Sequence, residues 1–266
     1  MEDTGRKAAI VTGSATGIGR AIALSLSRLG WGVVLNYTRS VEEMAETKRL
    51  CREAGGDPVV IQGDVSEDAV CRTLADAAEK RWGRLDGLVS NAGVTKFVAP
   101  DDLDGLNRGD FEHIFGVNLI GCWQAARAAA PLMKQSGSGS IVTMSSLSAF
   151  TGAGSSAAYA ASKAALNTLT LSLARGLAPD IRVNAVCPGY VRTRWGKRGI
   201  GEDGYAAFTA ALTEQLLLKR MVEADDVAET VLWFLTGGVA ITGQTLVIDA
   251  GEHLAGGISI SKSAED

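Results

Sequence analysis

Thr12-Gly13-Ser14-Ala15-Thr16-Gly17-Ile18-Gly19 follows the apolar run Ala8-Val11 and leads straight into Arg20-Ala21-Ile22-Ala23-Leu24. The order is strand, glycine-rich turn, helix. Glycines in such a turn permit a tight reversal, let the backbone approach a pyrophosphate and let the helix pack close to the strand. The free amides and the positive end of the helix dipole then face the phosphates. The spacing is G-x-x-x-G-x-G rather than G-x-G-x-x-G, and a glycine cluster alone is weak evidence. Its place in the first strand-turn-helix of the chain is what raises its weight. Gly13, Ser14, Thr16, Gly17, Ile18 and Gly19 are therefore candidate phosphate contacts.

Outward from this turn, β-branched runs alternate with longer amphipathic stretches, the pattern of βαβ units around a parallel sheet. The pattern predicts strands at Ala8-Val11, Val33-Leu35, Val59-Gln62, Gly87-Ser90, Ser140-Met144, Ile181-Val186 and Thr245-Ile248. It predicts helices over Gly17-Leu29, Val41-Ala54, Glu67-Trp82, Gly109-Met133, Ala158-Leu177 and Asp225-Thr236. The expectation is one doubly wound α/β domain over residues 1–266, a Rossmann-type parallel sheet of about seven strands with helices on both faces. The rhythm breaks between Gly189 and Met221, where no strand is predicted. This excursion, about residues 190–220, should cross the C-terminal edge of the sheet, where ligands bind in open α/β folds. The tail Gly256-Asp266 is polar and expected to be loosely ordered.

Composition narrows the function classes. The 266 residues are 46% hydrophobic and 21% charged, enough apolar material for a sizeable core. A net charge of −4 and a pI near 5.4 argue against a nucleic-acid binder. The polar start Met1-Lys7 predicts no secretory signal, and no apolar run approaches the roughly 20 residues a membrane span needs. A cytoplasmic protein without a membrane partner is expected. Cys51, Cys71, Cys122 and Cys187 match no metal or redox spacing and read as buried free thiols. His113 and His253 are the only histidines, which argues against a His-based zinc site and a Ser-His-Asp hydrolase. No metal is expected.

The chemistry has to come from other side chains. Tyr159 and Lys163 stand four apart in Ser156-Ala157-Ala158-Tyr159-Ala160-Ala161-Ser162-Lys163, an alanine-rich helical stretch, and so share one face. An ammonium beside a phenol favours the phenolate, which predicts a Tyr159 pKa below the usual value near ~10. Such a phenol can pass a proton in carbonyl reduction or alcohol oxidation. A lone Tyr-x-x-x-Lys is more simply explained as an ordinary helix surface, so the other motifs decide.

With the glycine turn, this pair resembles the short-chain dehydrogenase/reductase family over nearly the whole chain, from Lys7 to Gly251. Asp64-Val65 matches the Asp placed near the adenine in that family. Ser90-Asn91-Ala92-Gly93 resembles its Asn-Asn-Ala-Gly motif with serine in the first place. Val117-Asn118-Leu119 matches the helix asparagine of the catalytic tetrad, and Pro188-Gly189-Tyr190-Val191-Arg192-Thr193 the Pro-Gly segment beside the nicotinamide. The tetrad implied is Asn118, Ser146, Tyr159 and Lys163. Ser146 is chosen from Met144-Ser145-Ser146-Leu147-Ser148 because family members place the serine thirteen residues before the tyrosine. Ser145 points to the opposite face of an extended chain and reads as a structural hydroxyl. The resemblance implies that Tyr159 is the acid/base, that Ser146 bonds the substrate oxygen and that Lys163 also binds the nicotinamide ribose. It gives Asn118 a water linking Lys163 to solvent; taken alone, a buried Asn bonded within its own helix is the plainer reading.

The second strand ends in Asn36-Tyr37-Thr38-Arg39-Ser40, with no acid to bond a ribose 2′-hydroxyl. Arg39, helped by Thr38, Ser40 and Ser14, suits a 2′-phosphate, which favours NADP(H); NAD(H) stays open. The expectation is a reversible ketone or aldehyde reductase similar to 3-oxoacyl-carrier-protein reductases and glucose dehydrogenases. An NAD-dependent alcohol or sugar dehydrogenase of the same family is the alternative. A non-catalytic nucleotide-binding protein on this fold would lack the tyrosine or lysine, and a methyltransferase would not need the pair. Thr95, Phe97, Leu147, Phe150, Tyr190 and the Trp195-Phe208 excursion are the expected substrate lining. Arg194, Lys197 and Arg198 face either an acidic substrate or solvent. Trp123, Trp233 and Phe234 read as core or subunit contacts. The resemblance implies a homotetramer or homodimer through the Tyr159 helix, Asp225-Thr236 and Gln244-Asp249.

Overall fold

The computed structural model describes residues 5–196 and 201–255. Its strands are β1 (Ala8–Val11), β2 (Gly32–Tyr37), β3 (Asp57–Gln62), β4 (Gly87–Ser90), β5 (Gly139–Met144), β6 (Ile181–Pro188) and β7 (Thr245–Ile248). They form one sheet in the order β3-β2-β1-β4-β5-β6-β7, with every pairing parallel. The principal helices are α1 (Gly17–Arg28), α2 (Val41–Glu53), α3 (Asp68–Trp82), α4 (Arg108–Phe115), α5 (Gly121–Ser136), α6 (Ser148–Thr151), α7 (Ala157–Leu177), α8 (Glu202–Gln215) and α9 (Ala224–Thr236). The strand order reverses between β1 and β4, and a crevice at the carboxyl ends of the strands follows from that reversal.

Two apolar layers hold the sheet. Successive side chains point to opposite faces. Ile10, Val34, Leu88, Ile141 and Val183 pack with Leu74, Ala78, Trp82, Ala126 and Met133 on one side. Val11, Val33, Val89, Val142 and Val186 pack with Ile22, Leu26, Met44, Val231 and Phe234 on the other. Covering both faces is why the strands read as continuous apolar runs rather than alternating ones. All four cysteines are buried free thiols. None of the described helices is long and apolar enough to cross a membrane.

One expected element differs. The helix expected over Gly109-Met133 is divided into α4, a π turn at Gly116–Ile120, and α5, which continues to Ser136. Within that turn Asn118 is tied to Val94, and just beyond it a Cβ on Gly121 would stand 2.8 Å from Val65 Cγ2, so glycine is needed there. The wider π turn absorbs an extra residue there. The excursion after Gly189 adds no strand to the sheet among its described residues, as expected. It carries α8 and a single parallel bridge, Val191 to Val222. Lys197, Arg198 and the tail Gly256-Asp266 lie outside the described residues.

Phe234 is the largest of the fully enclosed side chains, 1% exposed. Phe234→Ala should lower unfolding free energy by about 3–5 kcal/mol, read as a lower urea midpoint at an unchanged slope.

Candidate active site

The crevice begins at the glycine turn after β1. Gly13 and Gly17 have φ of +62° and +56°, a conformation only glycine adopts without strain. A Cβ on Gly13 would lie 2.9 Å from Ala92 Cα, and one on Gly19 only 2.5 Å from the Gly13 carbonyl oxygen. The turn is thus a cradle that side chains would fill, at the N-terminus of α1, as a dinucleotide pyrophosphate requires. Its residues fit that group.

Two side chains that hold the cradle were not singled out from the sequence. Thr12, 2% exposed, accepts hydrogen bonds at Oγ1 from the amides of Asn91 (2.9 Å) and Ala92 (3.0 Å). Asn91 Nδ2 donates back to the Thr12 and Gly13 carbonyls at 2.9 and 3.0 Å. On the other side, buried Asn36 accepts from the Gly13 amide (3.3 Å) and donates to the Gly63 carbonyl (3.0 Å). One polar residue in the apolar run Gly32-Val33-Val34-Leu35-Asn36 is the signal that could have identified it. Ser14, expected to help hold a phosphate, is instead fully buried. Its amide donates to the Asn36 carbonyl at 2.9 Å and its hydroxyl bonds the Asn36 main chain, so it faces β2 rather than the crevice.

The four tetrad positions converge beyond the end of β5. Ser156 caps α7, its Oγ accepting from the Tyr159 amide (3.3 Å), which places Tyr159 in the first turn and Lys163 one turn on. Lys163 Nζ sits 5.6 Å from the Tyr159 ring centroid and donates to the Met144 carbonyl at 2.7 Å. Ser145 Oγ is buried and donates to the Lys163 carbonyl at 3.1 Å, a structural hydroxyl. Ser146 is half-buried and accepts from the Ser148 amide, which orients its hydroxyl near the phenol. Asn118, in the π turn, accepts from Val94 N at Oδ1 (2.8 Å) and gives both Nδ2 protons, to Val94 O (3.1 Å) and Ser162 Oγ (3.0 Å). Its amide therefore has no proton left for a water. A Cβ on Gly93 would be 3.5 Å from Asn118 Oδ1 and 3.7 Å from Lys163 Nζ, so glycine keeps this polar corner open.

Electrostatics here differ from the expectation that Lys163 depresses the tyrosine. Burial raises the Tyr159 pKa, and the Ser146 hydroxyl offsets only part of that rise. Burial also lowers Lys163 to about 8. Both shifts oppose charge, because desolvation outweighs an ammonium aimed at the Met144 carbonyl rather than at the phenol.

The remaining positions divide. Asp64 accepts from the Ser66 amide and hydroxyl at 2.9 and 2.8 Å, and Val65 is core. Tyr37 reaches Gln62, Gln62 Nε2 donates to Thr38 O (2.9 Å), and Arg39 is exposed at the end of β2. Pro188 closes β6, and its carbonyl accepts from the Leu147 amide at 2.8 Å; Gly189 N donates to Ile248 O at 3.0 Å. Val191 forms the bridge to Val222, and Thr193 comes within 3.5 Å of a Cβ placed on Gly17. Trp195 meets both Tyr159 and Phe97. Tyr190 instead packs on Phe208, ring centroids 5.0 Å apart, and Phe150 is exposed on α6. Arg194 pairs with Glu43 on α2 rather than facing the site. A cleft of about 730 Å³ lined by Arg192, Arg194, Tyr205 and Thr209 lies on the α8 side, and neither Tyr159 nor Ser146 lines it.

Comparison with known proteins bears on the family and the fold. A family model described as enoyl-(acyl carrier protein) reductase matches residues 13–253. A Streptomyces violaceoruber protein described as a ketoacyl reductase of granaticin polyketide synthase is 40% identical over 246 residues, 92% of this chain and 96% of its own. The 3-oxoacyl-(acyl-carrier-protein) reductase of Staphylococcus aureus is 34% identical over 255 residues, 93% of this chain and 98% of its own. A crystal structure from Burkholderia xenovorans, titled as a short-chain dehydrogenase/reductase, superposes with a TM-score of 0.87 at 39% identity, covering 95% of this chain and all of that one.

Lys163 makes folding sensitive to pH in a definite direction. With a folded pKa of about 8 against ~10.4 for a free lysine, both states are protonated below pH 8 and the full burial penalty applies. Between those values the unfolded state binds more protons, so stability rises with pH. Lys163→Met should therefore gain most over the parent at pH 7, and its advantage should shrink by about 1–3 kcal/mol by pH 10. Denaturant titrations at both pH values measure this; an advantage that does not change with pH would contradict it.

Proposed function

Because this chain belongs to the short-chain dehydrogenase/reductase family of oxidoreductases, we propose that it is a reversible carbonyl reductase that prefers NADP(H). The observation that carries the reading is the meeting of the Tyr159 and Ser146 hydroxyls beside Lys163 at the end of β5. A bound reduced nicotinamide supplies the hydride. Tyr159 Oη gives its proton to the carbonyl oxygen, while Ser146 Oγ donates a hydrogen bond to the same oxygen as charge develops there. Burial keeps the phenol protonated at neutral pH, the form that reduction needs. The reverse reaction needs the phenolate, whose formation the Ser146 hydroxyl assists. Asn118 positions Val94 and, through Ser162, the helix that bears Tyr159.

Gly13, Thr16, Gly17, Ile18 and Gly19 would hold the pyrophosphate. Asp64, Val65, Asn91, Ala92 and Gly93 would border the adenine and ribose, and Lys163 and Thr193 the nicotinamide half. The NADP(H) preference rests on Arg39, exposed at the end of β2 where no acid stands. A ketone substrate fits the ketoacyl reductase relatives. Half-exposed Trp233 on α9 and Leu246 on β7 suit a homotetramer or homodimer, and four free thiols suit the cytoplasm.

Tyr159→Phe should cut turnover by about 10²–10⁴-fold with cofactor affinity preserved by calorimetry, and Ser146→Ala by about 10²-fold. Near-parental turnover in Tyr159→Phe would defeat the mechanism. Arg39→Asp should reverse the ratio of kcat/KM for NADPH over NADH, losing about 10-fold or more on NADPH; an unchanged ratio would remove Arg39 from the phosphate site.

A further inference from the structure

Resting on the reductase reading, we propose that Phe97 and Trp195 form an aromatic wall that selects an uncharged ketone whose carbonyl belongs to, or is joined to, a planar ring system. Trp195 lies 6.0 Å from the Tyr159 ring at 50° and 6.5 Å from Phe97 at 64°. The three rings make one bent surface that ends at the Tyr159 phenol. Yet Trp195 remains 39% exposed and Phe97 44%. Apolar surface left open beside a reactive group marks a ligand contact more than a core.

Charge near the wall is directed elsewhere. Lys96, next to Phe97, pairs with Asp110 at 2.9 Å. Arg194, next to Trp195, pairs with Glu43 and donates to Ser40 Oγ at 2.9 Å. A carboxylate or phosphate close to the carbonyl would meet no free cation from these neighbours.

One side of the wall is preformed. The Val98 amide donates to the Ser155 carbonyl at 2.9 Å, and the Thr95 and Ser155 hydroxyls share a hydrogen bond of 2.6 Å. The Phe97 loop is therefore tied to the segment that opens α7, the helix that carries Tyr159. A preformed wall favours a rigid ligand: a ring ketone immobilises few rotors, whereas an open acyl chain immobilises many. Edge-to-face ring contacts add to the burial of apolar area.

Steady-state kinetics with the whole protein and saturating cofactor test this, using 1-tetralone and the open-chain acetoacetyl-N-acetylcysteamine. Tetralone should show a kcat/KM about tenfold higher. Trp195→Ala should lower that value about tenfold, mainly through KM, while the thioester stays within about twofold. Trp195→Phe should recover most of the loss, and Phe97→Leu should weaken tetralone in the same selective way. Equal losses on both substrates, or a preference for the thioester, would overturn the wall and leave the reductase reading intact. A protein that binds cofactor normally yet reduces neither carbonyl would overturn both.

Discussion

Three strands meet where the sheet order reverses, and polar side chains rather than apolar ones lock them there. Thr12 and Asn91 join the glycine turn to the end of β4, while Asn36 and Ser14 join it to β2 and, through Gly63, to the chain leaving β3. These groups are buried or nearly so, and each has partners on both sides. In such surroundings a satisfied hydrogen bond is strong and an orphaned one destabilising, so the network resists partial loosening. The cradle at α1 cannot drift without breaking several bonds at once. Everything placed relative to it, including the Gly93 corner and the Thr193 crossing, inherits that rigidity.

At the opposite wall of the crevice the molecule tolerates an unfavourable arrangement. Lys163 is held in low dielectric against a single carbonyl, and Tyr159 is buried enough to disfavour its anion. Neither group improves the fold. Well-packed α7, capped by Ser156 and threaded by Ser145 and Ser162 hydrogen bonds, supplies the stability that keeps them in place. Burial moves Lys163 toward neutral pH and Tyr159 away from it, so the helix by itself brings only the lysine into that range.

Much of this was legible in the chain. The strands Ala8–Val11 and Gly87–Ser90 were read to the residue because parallel strands covered on both faces are short apolar runs bounded by turns. The pairing of Tyr159 with Lys163 followed from helical spacing, and the choice of Ser146 over Ser145 from strand alternation and family spacing. What escaped was set by contacts between distant segments. Ser14 looked like a phosphate ligand until Asn36, 22 residues away, was seen to hold it. The π turn at Gly116–Ile120 carries the bonds of Asn118 to Val94 and Ser162, contacts between distant segments that no helical periodicity encodes. The Tyr159 pKa moved the opposite way because spacing reports the neighbour's charge but not the desolvation of both groups.

By itself, then, the sequence determined the alternation of strands and helices, the position of the glycine turn and the shared helical face of Tyr159 and Lys163. These depend on local pattern and side-chain chemistry, which are properties of a few consecutive residues. Tertiary structure alone decided that Ser14 turns to β2, which charges are neutralised, and that Trp195 meets both Phe97 and Tyr159. Those outcomes depend on burial and on contacts across 36 to 98 residues of intervening sequence, the separations of Tyr159 from Trp195 and of Phe97 from Trp195. Only the folded sheet brings such segments to one edge.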